Sequence, residues 1–472
     1  MDFINGLFYG YLDLLWSKLL IYLLVGLGIF FTIRTKFVQF RHFGEMIRLL
    51  GDKNMVQGEG GKGVSSLQAF FISAASRVGT GNIAGVAIAI ALGGPGAVFW
   101  MWLIALIGMA TAFVESTLAQ VYKVKDGDQY RGGPAYYMER ALGQRWMGIL
   151  FAILITLCFG LIFNAVQANT IALAFESAFD VNKNIIAAIL VIITAFIIFG
   201  GLKRIVAATQ LIVPVMAGLY ILVALFVVIV NINQVPAVIG EIFASAFGLQ
   251  SAAGGAVGAA LLNGVKRGLF SNEAGMGSAP NAAATAHVSH PAKQGFIQSL
   301  GVFFDTIMVC SATAFMILLY DLTPNAELKG IQLTQAALSH HIGGWAQIFI
   351  AVSIFLFAYS SIIGNYYYGE TNIEFMNKSK NLLLVYRIAV LGMVIFGSVS
   401  GFQLVWDLAD VFMGTMAIVN LIAITLLAGI AVKVLNHYMK QRREGIDPVF
   451  TEKSVPGLKN IEAWNENRLK EK

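Results

Sequence analysis

Eleven apolar runs of 17 to 34 residues follow one another along this chain. At about 1.5 Å per helical residue, a run of that length reaches across a hydrocarbon layer. They fall near 12–33, 64–92, 97–122, 146–178, 184–200, 205–231, 255–288, 295–320, 344–375, 383–400 and 404–435. Lipid cannot satisfy open backbone N–H and C=O groups, so such a chain is restricted to helices or a closed barrel. The strict alternation of apolar and polar residues that barrel strands require is absent. The expected class is therefore an all-α polytopic membrane protein with about 11 transmembrane helices. Composition closes the other routes: 57% of the 472 residues are apolar and 12% are charged, against about 25% charged in an average soluble domain. A soluble enzyme, a nucleic-acid binder and a disordered scaffold are all excluded, because a soluble core saturates while its surface still needs polar cover.

Lys and Arg set the expected orientation. Of 32 basic residues, 26 fall in alternate connections: 34–63, 123–145, Lys203 and Arg204, Lys293, 378–387, and the tail from Lys433. This places the N-terminus outside and the basic tail in the cytoplasm, and it requires an odd number of spans. The first helix lacks a basic leader and a small-residue cleavage site, so it reads as retained. The tail, 436–472, is polar and without apolar periodicity, which predicts a solvated cytoplasmic extension.

Two glycine clusters interrupt long apolar runs: Ser76-Arg77-Val78-Gly79-Thr80-Gly81-Asn82 in the second span and Asn272-Glu273-Ala274-Gly275-Met276-Gly277-Ser278 in the seventh. Five spans separate their starting points, and the two host spans cross in opposite directions. That is the mark of an inverted repeat, here 64–254 and 255–435, preceded by 1–63 with one extra helix and a basic loop. Paired glycines at mid-depth permit unwinding. Unwound backbone is tolerated in a bilayer only where it lines a cavity. Half-helix N-termini then attract a carboxylate, and freed carbonyls ligate a small cation, so a zwitterionic amino acid with Na⁺ fits. A single cluster would read more simply as tight helix packing; paired placement in two halves favours a binding site.

Other motifs carry less. GTGNIA fits a dinucleotide fingerprint but lacks a preceding strand and a timely acidic residue. The loop GEGGKGVSS has the wrong glycine spacing for a phosphate loop. His287, Ser289 and His290 read as an exposed cytoplasmic helix cap and not as a metal site. Cys158 and Cys310 sit in apolar runs as small core residues.

Three stretches, SRVGTGNIAGVAIAIALGGPGAVFWMW, GLFSNEAGMGSAPNAAATAH and FAYSSIIGNYYYGE, resemble the alanine/glycine:cation symporter family, and the resemblance extends over most of residues 10–435. It implies a leucine-transporter-like 5+5 inverted repeat with one extra N-terminal helix. It also implies sodium-coupled import of small neutral amino acids (glutamine, alanine or glycine) by alternating access across a prokaryotic inner membrane, with no cofactor besides the coupling ion. Proton coupling is the alternative. An ion channel is a more distant one, since a channel needs a continuous pore and not two broken helices. The absence of any recognisable catalytic constellation argues against an enzyme.

Carried over residue by residue, the resemblance implies that backbone at Gly79, Thr80, Gly81 and Asn82 holds the substrate carboxylate, with Asn82 also near a cation. Phe270, Ser271 and Asn272 open the second break, the aromatic forming a lid over substrate. Gly275, Met276 and Gly277 would border the side-chain pocket. A sodium site would use carbonyls of Ala75, Val78 and Phe357 and the hydroxyls of Ser360 and Ser361; read alone, without the resemblance, those serines are interhelical glue. Phe163 and Gln167 share a face of the fourth span at i, i+4 and are placed in the pocket. At Asn365 many family members carry tryptophan, so an asparagine there implies a larger polar substrate such as glutamine. Charges inside spans need partners or a function. Arg77 and Glu273 are expected to pair, Lys266 and Arg267 to line the outer vestibule, and Asp305, Glu115 and Asp407 to bind ions or gate.

Overall fold

A computed structural model describes residues 2–52, 64–127, 129–248, 254–320, 328 and 330–464. Lys53, Lys62, Lys329 and the last eight residues of the tail lie outside them. The chain is helical almost throughout. A first helix, α1 (Gly6–Arg34), leads through a tight turn into two short amphipathic helices, α2 (Val38–Arg41) and α3 (Phe43–Leu50). The first broken helix follows as α4 (Ser66–Arg77) and α5 (Gly81–Gly93), bent by 48°. Next come α6 (Gly96–Val121), a hairpin β1 (Val124–Asp126) with β2 (Gln129–Arg131), and α7 (Pro134–Arg140). The first half ends with α8 (Arg145–Phe179), α9 (Lys183–Ile198), α10 (Gly201–Val230) and α11 (Val235–Ala246). The second broken helix is α12 (Gly254–Asn272) with α13 (Ala279–Ala283), followed by α14 (Pro291–Leu318) and α15 (Ile331–Ile342). Three long helices close the chain: α16 (Ala346–Met376), α17 (Lys380–Val399) and α18 (Phe402–Arg443).

Among the described residues, eight helices are long and apolar enough to span, or nine with α4–α5 taken as one bent span. The two remaining expected spans are the short α9 and the broken α12–α13. In the latter, positive φ at Glu273, Gly275 and Gly277 divides the apolar run. Local chemistry sets the element ends. Ser65 and Gln68 form a reciprocal capping box at the start of α4. Pro291 stands in the first turn of α14, with the His290 ring accepting the N–H of Ala292. The centre of the molecule is α6, whose residues from Gly108 to Val121 are all buried and mostly small. Small residues let α12 and α14 pack closely against it. The outer surface carries large exposed apolar side chains such as Ile192, Phe196, Leu211 and Leu222, as a lipid-facing surface requires.

The tail departs from expectation. Helix α18 continues unbroken to Arg443, and the strand of chain after it folds back onto the helix ends instead of remaining solvated. Phe450, Val455 and Trp464 are buried. The Phe450 N–H donates to the Ser289 carbonyl at 2.9 Å, and the Trp464 indole N–H donates to the Gln120 carbonyl at 2.9 Å. Glu462 pairs with Arg140 at 2.8 Å, and Asp447 pairs with Lys293 at 2.9 Å. A few apolar residues at irregular spacing suffice for this, so no helical period announced it. The histidine cluster is a helix cap as expected, but a covered one: His290 is fully buried and stacks on His437.

Removing the indole in Trp464→Ala should undock the strap, since truncating a fully buried Trp costs about 3–5 kcal/mol. Limited proteolysis should then cut between 444 and 464 at least tenfold faster than in the unaltered protein. The strap should also respond to acid. Burial holds the His290 imidazole well below the usual histidine range, and His437 and Lys293 push it the same way; the other side chains against it, Tyr438 and Phe450, are neutral. A released imidazole protonates near 6.5, whereas the docked one stays neutral, so docking weakens as pH falls through about 6.5. Protease access that is constant from pH 8 to 5.5 would contradict this.

Candidate functional site

The two breaks meet at the centre of the bundle. In the first, the helix stops at Arg77 and resumes at Thr80, leaving Val78 and Gly79 outside regular helix. The Gly79 N–H donates to Asn82 Oδ1 at 2.9 Å and the Thr80 N–H to Gln167 Oε1 at 3.0 Å. Glycine is required at both flanks. A Cβ on Gly79 would collide with the Ser361 hydroxyl, and one on Gly81 would lie 2.9 Å from the Phe270 ring and 3.2 Å from Ser271 Cα. The second break is closer than a packing contact needs, and it shares polar partners with the first.

Asp305, on α14, is the shared partner. Its carboxylate accepts from Asn82 Nδ2 at 2.7 Å, Ser271 Oγ at 2.7 Å and Thr306 Oγ1 at 2.9 Å. It is fully buried, and among the described residues no cationic side chain lies within 4 Å of it. A second oxygen cluster joins α4 to α16. Ser361 Oγ lies 2.8 Å from the Ala75 carbonyl, 3.0 Å from that of Ser76 and 3.1 Å from that of Phe357, and Ser360 Oγ lies 2.8 Å from the Phe357 carbonyl. Both clusters offer oxygen donors, the ligands hard cations prefer.

Glu115, on α6, anchors the second break. Its two carboxylate oxygens accept the N–H groups of Gly275 at 3.1 Å and Gly277 at 3.2 Å, and Asn420 Nδ2 at 2.9 Å. Three aromatic rings lie above the breaks, Phe163 to Phe270 at 4.6 Å and Phe270 to Trp406 at 4.9 Å. Over Trp406 sits the Arg267 guanidinium, 4.8 Å from the ring centroid. Arg267 and Lys266 both reach Asp410, at 2.5 and 3.1 Å.

Most of the residues expected at the site are brought together, with several corrections. Arg77 and Glu273 form no direct ion pair. Arg77 Nη1 donates to the Gln298 carbonyl at 3.2 Å, while Glu273 is held by Ser76 at 2.7 Å and Ser278 at 2.5 Å. The left-handed φ of 59° at Glu273 aims its side chain away from the place that a helix would give it. Gly275 and Gly277 pack against α6, α7, α8 and α18: a Cβ on Gly275 would meet Leu421 and Thr111, and one on Gly277 would meet Pro134, Asn420 and Phe151. Met276 is fully buried. The carbonyl of Ser76, beside those of Ala75 and Phe357, also accepts from Ser361 Oγ, at 3.0 Å. Lys266 and Arg267 are committed to Asp410. Glu115 is spent on backbone N–H groups. Asp407 accepts from Gln403 at 2.8 Å and Tyr9 at 3.3 Å, at the rim.

Asn365 lies against the first break, its amide oxygen 2.6 Å from Ser76 Oγ, which also donates to Glu273. One hydroxyl proton cannot serve both, and Asn365 Nδ2 has no partner. Turning the amide over lets Nδ2 donate to Ser76 Oγ and removes the conflict. Asp410, Trp406, Ser76 and Asn420 were not anticipated. The only signal for Asp410 was its i, i+3 spacing from Asp407 in an apolar span.

Two interrupted helices, apposed at the middle of a lipid-facing bundle and sharing a buried carboxylate, define a membrane carrier of the broken-helix type. A solved structure of MhsT in complex with L-phenylalanine shares the fold: the TM-score is 0.50 at 15% identity, covering 79% of this chain and 98% of that one. The model of the sodium:alanine symporter family matches residues 1–452. The amino-acid carrier protein AlsT of Bacillus subtilis is 65% identical over 99% of both chains. The probable sodium/glutamine symporter GlnT of the same organism is 58% identical over 96% of this chain and 94% of its own, and the sodium/alanine symporter AgcS of Methanococcus maripaludis is 39% identical over 91% and 96%. This chain belongs to the sodium:alanine symporter family. It is an amino acid:cation symporter and not an enzyme.

Glu115→Gln tests the anchor. The amide has one acceptor oxygen, and its NH₂ faces a backbone donor, so at least one charge-assisted bond is lost, worth about 1.5–3 kcal/mol. Thermal unfolding in detergent should show a lowered midpoint, and uptake should fall equally for every amino acid. A selective loss for one substrate would place Glu115 in the pocket instead.

Proposed function

We propose that the protein imports small neutral amino acids, glutamine foremost, by Na⁺-coupled alternating access, with residues 64–254 and 255–435 as its two inverted halves. The observation that carries this reading is the set of buried polar atoms left without a hydrogen-bond partner along the breaks and beneath the lid: the Thr80 hydroxyl, Asn272 Nδ2 and the Trp406 indole N–H. Such groups are costly to bury unless a ligand completes them. The zwitterion lies between the breaks, under the stack of Phe163, Phe270 and Trp406, with its carboxylate toward Gly79–Asn82. The Arg267–Asp410 pair closes the outer path. The N-terminus faces outside and the tail faces the cytoplasm of a prokaryotic cell, in keeping with the distribution of Lys and Arg.

One Na⁺ occupies the cluster of Ser360 and Ser361 with carbonyls of Ala75 and Phe357. A second cation position lies at Asp305, Asn82 and Ser271, where a buried carboxylate without an ion pair offers charge as well as oxygen. One Na⁺ moving through 100 mV supplies about 2.3 kcal/mol, enough for a roughly 50-fold gradient before any concentration contribution. A proton is the second reading, favoured by Glu273, a buried carboxylate held only by two serine hydroxyls in the break itself. Uptake into proteoliposomes under an imposed Na⁺ gradient or an imposed proton gradient decides between the ions; accumulation under the proton gradient alone would overturn sodium coupling.

Ser360→Ala combined with Ser361→Ala should raise the Na⁺ concentration for half-maximal uptake at least tenfold. Unchanged Na⁺ dependence would remove the ion from that cluster. Asn365→Trp should depress glutamine binding far more than alanine binding, because it takes away both space and an amide partner. A lost bond at a buried polar site is worth about 1–3 kcal/mol, or roughly five- to 150-fold. Competition by each amino acid against labelled substrate reads the ratio. If the ratio is the same in both proteins, Asn365 does not read the substrate side chain.

A further inference from the structure

A small cavity of about 70 Å³ lies away from the breaks, between the turn after α1 and the last turns of α18. Five of its lining residues are basic, namely Arg34, Lys36, Arg41, His42 and Arg443, and none is acidic. Among the described residues, no carboxylate lies within 4 Å of Arg34, Lys36, Arg41 or Arg443. Glu45, the acid that acts on His42, is already engaged by Arg48 at 2.8 Å, Arg442 at 3.2 Å and the Tyr438 hydroxyl at 2.6 Å. Arg41 spends one N–H on the Lys36 carbonyl at 3.3 Å, and among the described residues it makes no other side-chain hydrogen bond. The cluster is felt locally: His42 is held below the usual histidine range by burial, with Arg41 and Arg443 adding to the effect against Glu45.

The turn that presents these charges is itself unusual. Lys36 and Phe37 both have positive φ, 55° and 60°, a pairing that side-chain-bearing residues rarely adopt. It reverses the chain so that Arg34 and Lys36 face Arg443 across the cavity. The floor is apolar, with Leu435 and Met439 of α18. Around the charges, Ile33, Phe37, Phe40 and Ile47 are each at least half exposed. Charged donors over an apolar floor, beside exposed apolar side chains at the end of two membrane-spanning helices, match the junction between lipid headgroups and acyl chains.

We propose that this cavity binds the phosphate headgroup of an anionic phospholipid, with the acyl chains lying along Ile33, Phe37 and Phe40. Arginine forks take the phosphate oxygens in pairs, which a zwitterionic lipid's own ammonium would compete with. The ligand then bridges α1 to α18, the extra helix to the helix that carries Trp406 and Asp410. A free phosphate ion has the same head chemistry; the exposed apolar rim favours the lipid. The assignment of the leaflet as cytoplasmic rests on the orientation proposed above, and the binding itself does not.

The test uses the full-length protein, delipidated in detergent and titrated with dioctanoyl phosphatidylglycerol, dioctanoyl phosphatidylcholine or inorganic phosphate while thermal unfolding is followed. Phosphatidylglycerol should raise the midpoint of the unaltered protein, phosphatidylcholine and phosphate should not, and Arg34→Gln/Arg41→Gln/Arg443→Gln should need at least tenfold more phosphatidylglycerol. Equal response to the two lipids, or an unchanged titration in the triple variant, overturns the proposal. A shift by phosphate that matches the lipid overturns the lipid as occupant. Should the triple variant not fold, Arg34→Lys/Arg41→Lys/Arg443→Lys keeps the charge without the forks and should bind phosphatidylglycerol detectably more weakly than the unaltered protein. A titration identical to the unaltered protein's in that variant also overturns the assignment. Labelling of Glu444→Cys with an impermeant thiol reagent on intact cells checks the orientation separately: labelling from outside moves the site to the other leaflet and leaves the binding result standing.

Discussion

Two backbone N–H groups in the second break, those of Gly275 and Gly277, have no helical carbonyl to receive them, and both end on the carboxylate of Glu115. Within a bilayer an unsatisfied amide costs several kcal/mol, so the unwound segment exists only because α6 brings an anion to it. Asn420 of α18 completes the arrangement by donating both to Glu115 and to the Gly275 carbonyl. Its own side-chain oxygen is taken by the Tyr137 hydroxyl of α7. Four elements are thereby locked around a stretch of chain that would otherwise be helix. With that stretch held open, Glu273 and Ser271 turn toward the first break, and the two half-sites face one another.

The breaks are then joined by few atoms, each with more than one obligation. Ser76 Oγ donates to Glu273 and, with the amide turned over, accepts from Asn365 Nδ2, while the Ser76 carbonyl accepts from Ser361. Asp305 takes Asn82 from one break and Ser271 from the other. Any ligand that claims one of these groups must rearrange its partners. On the sites proposed above, coupling between a cation and a substrate needs no long path through the protein, because the same side chains would stand in both shells. A close-packed site answers such a claim by switching between arrangements and not by stretching.

How much of this could be read from residue order follows from the range of each signal. The helical class, the two breaks and the proximity of Ser360 and Ser361 to Ala75 and Phe357 were legible, because glycine clusters and motif likeness act locally. The separate partners of Arg77 and Glu273, expected from the sequence to pair with each other, were not: equivalence between halves ignores the left-handed turn that re-aims Glu273. Asp410 was hidden by its neighbour Asp407, since only the fold shows which of the two carboxylates meets Arg267. The docked tail was missed because Phe450 and Trp464 are isolated in a charged stretch, and burial of single aromatics leaves no periodic trace. Asn365 was placed near the breaks, yet its bond to Ser76 is a tertiary fact with no counterpart in the spacing of the sequence.

That strap also orders events during synthesis. Trp464 comes after every membrane-spanning segment, so its seat at Gln120, on a helix made long before, stands empty while the remaining helices are being inserted. The helix ends gathered by Phe450, Asp447 and Glu462 stay free to adjust until residues 447–464 have left the ribosome. Closing that face therefore follows the synthesis of α1 to α18. Truncated products of a broken message, however well inserted, carry an open face that a quality-control protease can recognise.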